Sequence, residues 1–259
     1  MARSCSEIRK EGYKILKGNW TMFSIALAFF FGISALIGFV VGEIFSLKLE
    51  PYNIDFSSIL IAFVCIVVLV LVNIILTPMA ECGASNICLR LYDEEDVGFK
   101  SALYGFNYFI KAIGLFLWQA LFTALWSMLF IIPGIIAALR YSQSFFIFVE
   151  NPEKSIRGCV NESKLLMDGN LMKYFKLSLS YIGWIILAVL PSGIISGIAS
   201  NCWDFNTYSL LNTLALIVEI IAMSILMPYI YSGMVVFYKN LTRETDEKSE
   251  VVVIEKTIQ

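Results

Sequence analysis

AIGLFLWQALFTALWSMLFIIPGIIAALRYSQSFFIFV, residues 112–149, decides the fold. The stretch is 38 residues long and carries one charge, Arg140. As a single helix it would extend about 57 Å, nearly twice the roughly 30 Å of hydrocarbon in a bilayer. Near its centre stands Ile131-Ile132-Pro133-Gly134. Proline has no N–H to give a helix, and glycine adopts turn conformations that other residues avoid. The stretch therefore reads as two antiparallel helices, 112–132 and 135–150, with Pro133 and Gly134 as the hairpin turn.

Working outward, residues 18–42, 56–80 and 177–203 are free of charge, and 205–238 carries only Glu219. Each is long enough to cross a bilayer, which takes about 20 apolar residues. The total is six spans if 112–149 is a hairpin and five if it is not. Basic residues decide between them, because lysine and arginine collect on the cytoplasmic side. Six spans with the N-terminus inside place 17 of the 19 lysines and arginines in cytoplasmic segments. Only Lys48 then lies outside and Arg140 within the membrane. Five spans strand the whole 154–176 basic segment and the tail on the wrong side. The expected spans are 20–42, 57–80, 112–132, 135–150, 177–200 and 208–238, with both termini cytoplasmic. The expected fold is all-α: a polytopic membrane helical bundle of three hairpins with interfacial amphipathic helices.

Composition agrees. Hydrophobic residues make up 58% of the 259 and charged residues 15%, against about 45–50% and 25% in soluble domains. The chain cannot cover a water-facing surface and needs lipid as solvent. A net charge of −2 gives no reason to expect nucleic acid. Histidine is absent, which removes the commonest general base and nitrogen ligand. The six cysteines form no CxxC pair, so a zinc ribbon or thioredoxin-type site is not indicated. Only Cys202 falls on the oxidising side, so no internal disulfide is expected. The first apolar run is too long for a signal-peptide core and reads as a retained span.

Each hairpin opens in a similar way. Ile8, Gly12, Ile15 and Leu16 share one side of a helix whose other side is basic, and Gly18-Asn19 follows. Phe99 to Tyr104 precedes Gly105-Phe106-Asn107. Asn151-Pro152 reads as a helix start, Ile156, Val160, Ser163 and Met167 share a face, and Gly169-Asn170 follows. Glycine and asparagine tolerate the left-handed conformation that ends a helix, so short helices on the inner surface are expected to turn there into the bilayer. Pro78 and Gly83 echo Pro228 and Gly233 at the same spacing. An internal repeat and the ordinary chemistry of membrane-helix ends both account for this pattern. Residues 1–241 form one membrane domain, and 242–259 reads as a disordered cytoplasmic tail.

Several of these motifs together resemble a known family. They are Lys17-Gly18-Asn19-Trp20, Ile131 to Ile136, Arg140-Tyr141-Ser142, Glu150-Asn151-Pro152-Glu153, Ser163 to Met167 with Gly169-Asn170, and Ser180 to Trp184. Their combination, from about Ile8 to Leu241, resembles the bacterial membrane proteins of domain of unknown function 975. That group is distantly similar to the membrane domain found with glycerophosphoryl diester phosphodiesterases. The resemblance implies a multispan bacterial membrane protein and no established activity. No soluble stretch is long enough to hold a phosphodiesterase domain.

Arg140 and Glu219 are the two charges placed well inside spans. A buried arginine costs on the order of 2.5–3.5 kcal/mol on insertion scales, so the two are expected to face each other. They read either as a lock between the fourth and sixth helices or as a substrate site, and the lock is preferred because no third charge converges. Asn73 and Gln119 are expected to meet near the inner side as intramembrane polar contacts. Gly38-x-x-x-Gly42 and Gly193-x-x-x-Gly197 read as helix-packing motifs. Asp93-Glu94-Glu95-Asp96 reads as a solvated loop, since its spacing does not fit an EF-hand. Catalytic motifs such as GxSxG, Walker A and HExxH are missing, so no enzyme and no cofactor or metal is expected. The expected role is a non-enzymatic accessory or scaffold protein of the cell membrane. The alternative is a small transporter or channel using the Arg140/Glu219 region. Expected partners are the lipid bilayer and other membrane proteins. Labelling of intact cells with an impermeant maleimide tests the orientation: Cys202 reacts, whereas Cys5 and Cys159 do not.

Overall fold

The computed structural model describes residues 4–48 and 56–258. Arg3, the 49–55 connection and Gln259, expected in the N-terminal segment, the first outer loop and the tail, lie outside the described residues. The chain is all-α, with no strand among the described residues. In order come α1 (Cys5–Leu16), α2 (Trp20–Lys48), α3 (Phe56–Tyr92), α4 (Phe99–Ala102), a 3-10 turn (Tyr104–Tyr108) and α5 (Phe109–Leu129). Then follow α6 (Ile131–Tyr141), α7 (Ser144–Glu150), α8 (Ile156–Met167), α9 (Leu171–Ala199) and α10 (Phe205–Ile258). Six stretches are long and apolar enough to cross a membrane: Trp20–Gly42, Phe56–Tyr92, Phe99–Leu129, Ile131–Glu150, Leu171–Ala199 and Asn206–Thr245.

These stretches pair as three hairpins, α2 with α3, α5 with α6 and α9 with α10. The hairpins share one base. There the lower turns of α3 and α10 meet α1, α7 and α8, and Leu16, Phe23, Met79, Ile87, Ile147, Met167, Leu177 and Val235 are all buried. Farther along, the helices turn broad apolar faces outward. Ile59, Phe63, Ile66 and Leu71 of α3 are each more than half exposed. The core is thus a basal layer, not the length of the spans.

Two units of this base are built alike. Ser4 caps α1: its hydroxyl accepts from the Glu7 N–H (3.3 Å), while the Glu7 carboxylate accepts from the Ser4 N–H (2.7 Å), a reciprocal box that satisfies two orphan donors. Ser155 caps α8 by accepting from the Gly158 N–H (3.1 Å). Each helix has 12 residues. Each ends at a glycine of positive φ, Gly18 (97°) and Gly169 (73°), where a side chain would be strained. In each, the next asparagine N–H returns to the buried last residue, Asn19 to Leu16 and Asn170 to Met167, both at 3.0 Å. The long helices α2 and α9 then begin. The second hairpin, α5 with α6, departs from the pattern, because α4 and the 3-10 turn replace its amphipathic helix.

Several expected boundaries need correction. The hairpin turn is at Phe130, whose backbone is extended (φ −158°, ψ 150°), and not at Pro133-Gly134. Pro133 falls in the first turn of α6, where a missing N–H costs nothing. Gly134 instead lets the arms touch, since an added Cβ would collide with the Ser127 side chain. The fourth span is broken at Ser142-Gln143 into α6 and α7. Asn151 ends α7, and Ser155, not Asn151, caps α8. Residues 242–258, expected as a disordered tail, continue α10 as helix to Ile258, and no glycine or proline follows Gly233.

The close helix contacts are also elsewhere than expected. A Cβ on Gly42, Gly193 or Gly197 would meet nothing, and one on Gly38 only the edge of Leu69 at 4.0 Å. Apart from Gly134 near the hairpin tip, the contacts that need glycine at Gly12, Gly83 and Gly233 lie in the base. A Cβ on Gly83 would fall on the Ala102 carbonyl, and one on Gly12 would lie 2.9 Å from the Ser232–Gly233 backbone. A Cβ on Gly233 would strike the Tyr181 hydroxyl. Gly83→Ala is therefore expected to destabilise the protein by about 1–3 kcal/mol through overpacking. Gly193→Ala is expected to be neutral or slightly stabilising. Thermal unfolding of both variants in the same detergent checks the contrast.

Candidate functional site

Arg140 and Glu219 do not meet. α6 packs on α5, α8 and α9, both side chains face outward, and no ion pair joins them among the described residues. The reason lies in the hairpin. Gln119, halfway along α5, donates from its side-chain amide to the Tyr141 carbonyl (3.3 Å). From that contact to the tip each arm has about ten residues, so about 15 Å. Arg140 therefore stands about 15 Å below the tip, level with the middle of α5. Its carbonyl accepts from the Ser163 hydroxyl of α8 (2.7 Å). Lys164 lies over the neighbouring Tyr141 ring at 5.5 Å. Asn73 and Gln119 are likewise apart. Asn73 accepts from Ser34 of α2 (3.2 Å) and donates to the Leu69 carbonyl (2.9 Å).

Polar side chains converge instead in and around the base. At the α6–α7 break the buried Gln143 donates its backbone N–H to Ser163 (3.2 Å) and its amide to Ser142 (2.8 Å). Ser163 thus serves both sides of the break, replacing helix bonds that Ser142-Gln143 cannot make. Tyr174 of α9 stands beside this pair. On the opposite side, Glu81 of α3 and Tyr231 of α10 stand near each other.

Below these lies an ionic clamp. Lys239 of α10 reaches Glu150 of α7 (2.8 Å) and Asp93 after α3 (3.2 Å). The Tyr238 hydroxyl donates to the second oxygen of Glu150 (2.5 Å). Lys239 and Arg243 both stack on Tyr92, at 5.7 and 5.9 Å. Of the acidic run, Asp93 is held by Lys239 and Glu95 by Arg90 (2.9 Å), so two of its four carboxylates serve the fold. The sequence did not single out Lys239 or Glu150, since a charge just past a span resembles any solvated residue. All six cysteines are free thiols.

The third feature is an open groove of about 1060 Å³. α1 and the start of α2 form one wall, and α9 and α10 the other. Trp20 anchors it: the indole N–H donates to the Ile225 carbonyl of α10 (3.1 Å). Its ring stacks on Tyr229 at 6.4 Å and meets Tyr13 edge-on at 5.7 Å. Arg9 donates to the Ser180 carbonyl of α9 (3.4 Å).

A family model described as a protein of unknown function, DUF975, matches residues 1–137 and 128–245. The chain belongs to this family. The match covers the three hairpins, the basal layer and both walls of the groove, so these are all features of the DUF975 segment. It brings no match to a phosphodiesterase membrane domain. No curated protein matches the chain, and no solved structure does.

Two double-mutant cycles separate these arrangements. Glu150→Gln and Lys239→Met are expected to couple by about 0.5–3 kcal/mol, as contacting partners do. Arg140→Leu and Glu219→Leu are expected to be additive within about 0.5 kcal/mol. Unfolding of each set in detergent supplies the comparison.

Proposed function

We propose that this protein is a non-enzymatic scaffold, an accessory subunit that holds other proteins in the cell membrane. The observation behind this reading is the division between base and hairpins. The side chains that order the chain gather in the basal layer, and the hairpins carry unmatched apolar faces such as Ile59, Phe63 and Ile66. Such faces suit helices of other membrane proteins, which associate through packing and not through the hydrophobic effect. The alternative is a small transporter or channel using the Arg140/Glu219 region, where the two side chains face outward with no ion pair between them among the described residues. The 17 basic residues support a cytoplasmic base.

In vivo crosslinking from a photoreactive residue at Phe63, followed by purification, tests the role. A defined, stoichiometric membrane partner is the expected result. Solute flux through proteoliposomes holding the chain alone, with no partner crosslinked, would replace the scaffold with a transporter. For the orientation, Cys159 is a poor reporter. It is fully buried, and burial also pushes its thiol above the ordinary range, so it stays silent from either side. Glu153→Cys, in the turn before α8, is expected to remain unlabelled in intact cells and to react after permeabilisation.

A further inference from the structure

The groove beside α1 has two chemically distinct halves. Helical spacing sets Ser6, Arg9, Lys10, Tyr13, Lys14 and Lys17 along one side of the chain, while Ile8, Gly12 and Leu16 bury themselves on the other. The groove's mouth therefore carries four cationic side chains, and no carboxylate lines it. Glu7 and Glu11 of the same helix stand outside the lining. Arg9 is fixed on α9 through Ser180, which uses one of its five donors, and its Nε is buried without a partner among the described residues. Beyond the mouth the walls turn apolar, with Leu187 and Ala188 from α9 and Ala222, Ile225 and Leu226 from α10. Trp20, Tyr229 and Trp184 stand between the two halves. Tryptophan and tyrosine prefer that level in a bilayer, where one end of the ring is wet and the other apolar.

We infer that this groove is a binding site for one anionic phospholipid. The phosphate lies among Arg9, Lys10, Lys14 and Lys17, the glycerol region lies against the aromatic side chains, and an acyl chain lies between α9 and α10. Charge selects an anionic over a zwitterionic headgroup, because four cations and no carboxylate line the groove among the described residues, although Lys14 also borders the acidic run at Glu94, Glu95 and Asp96. Apolarity of the inner half selects a lipid over an acidic peptide, whose backbone N–H and C=O groups would find no partners there. Bound in this way, the lipid joins α1 to the third hairpin and ties the basal layer to one leaflet. This assignment is independent of the scaffold role, and flux or partner data leave it untouched.

Native mass spectrometry of the detergent-purified chain is the test, with palmitoyl-oleoyl phosphatidylglycerol and the matching phosphatidylcholine as probes. One phosphatidylglycerol adduct is expected, half-saturating at least about tenfold below phosphatidylcholine, since clustered basic residues favour anionic lipid. Lys10→Gln/Lys14→Gln/Lys17→Gln is expected to bring the two lipids level. These side chains are exposed or at the rim, so the base should keep its fold, which circular dichroism verifies. Ala222→Leu, which fills the apolar half and keeps every charge, is expected to weaken both lipids. Lys173→Gln/Lys176→Gln, basic but outside the groove, is expected to change nothing. Equal binding of the two lipids by the unaltered chain overturns the proposal. So does an equal loss in the Lys173/Lys176 variant, an unaltered affinity in Ala222→Leu, or displacement of the adduct by millimolar inorganic phosphate.

Discussion

Backbone against backbone is the contact on which this architecture depends. Gly83 of α3 lies on the Ala102 carbonyl, and Gly12 of α1 lies on the Ser232–Gly233 backbone of α10. Where two chains come this close, no side chain fits between them, and every neighbour must take its position from theirs. Tyr181 reaches Gly233 only because that residue has no Cβ, and Met79 and Cys82 pack on Gly105 for a similar reason. The buried Leu16, Met167 and Val235 then fill the remaining space. In lipid this matters more than in water, because apolar surface gains little by leaving acyl chains, and close packing has to supply the attraction.

The base also shows how one device is reused. α1 with Gly18-Asn19 and α8 with Gly169-Asn170 have the same length, the same kind of serine cap and the same glycine-led turn into a long helix. Their faces are used differently. α8 staples the α6–α7 break through Ser163 and covers α5, with Arg157 over Trp118 at 5.5 Å. α1 covers α9 and α10 and leaves a groove. The congruence of the turns favours an internal repeat over the common chemistry of helix ends, because cap, length and return hydrogen bond coincide at once.

Much of the fold is legible in the sequence. Charge-free runs find the long helices, the basic residues pair them into hairpins, and Gly18-Asn19 and Gly169-Asn170 mark the turns. What escapes is whatever depends on a neighbour. Pro133-Gly134 has the composition of a turn, yet proline is equally at home in a first helical turn, and only the contact with Ser127 shows why glycine follows it. Small-x-x-x-small spacing at Gly38 and Gly193 describes a smooth surface without saying whether another helix lies on it. Arg140 and Glu219 look like partners by scarcity, but scarcity does not say which way a side chain points, and both face outward. The groove is hidden for a simpler reason: its basic half and its apolar half are more than 160 residues apart in the chain.

Because the three hairpins share a base and little else, they differ from a bundle that is packed along its whole length. A membrane that thickens or thins asks its proteins to tilt, at fractions of a kcal/mol per Å of mismatch. In a uniformly packed bundle that tilt shears every interface together. Here each pair leans from a common foot, and Glu150, Asp93 and Lys239 keep their distances below it. The far ends accommodate the bilayer, and the basal geometry is insulated from its thickness.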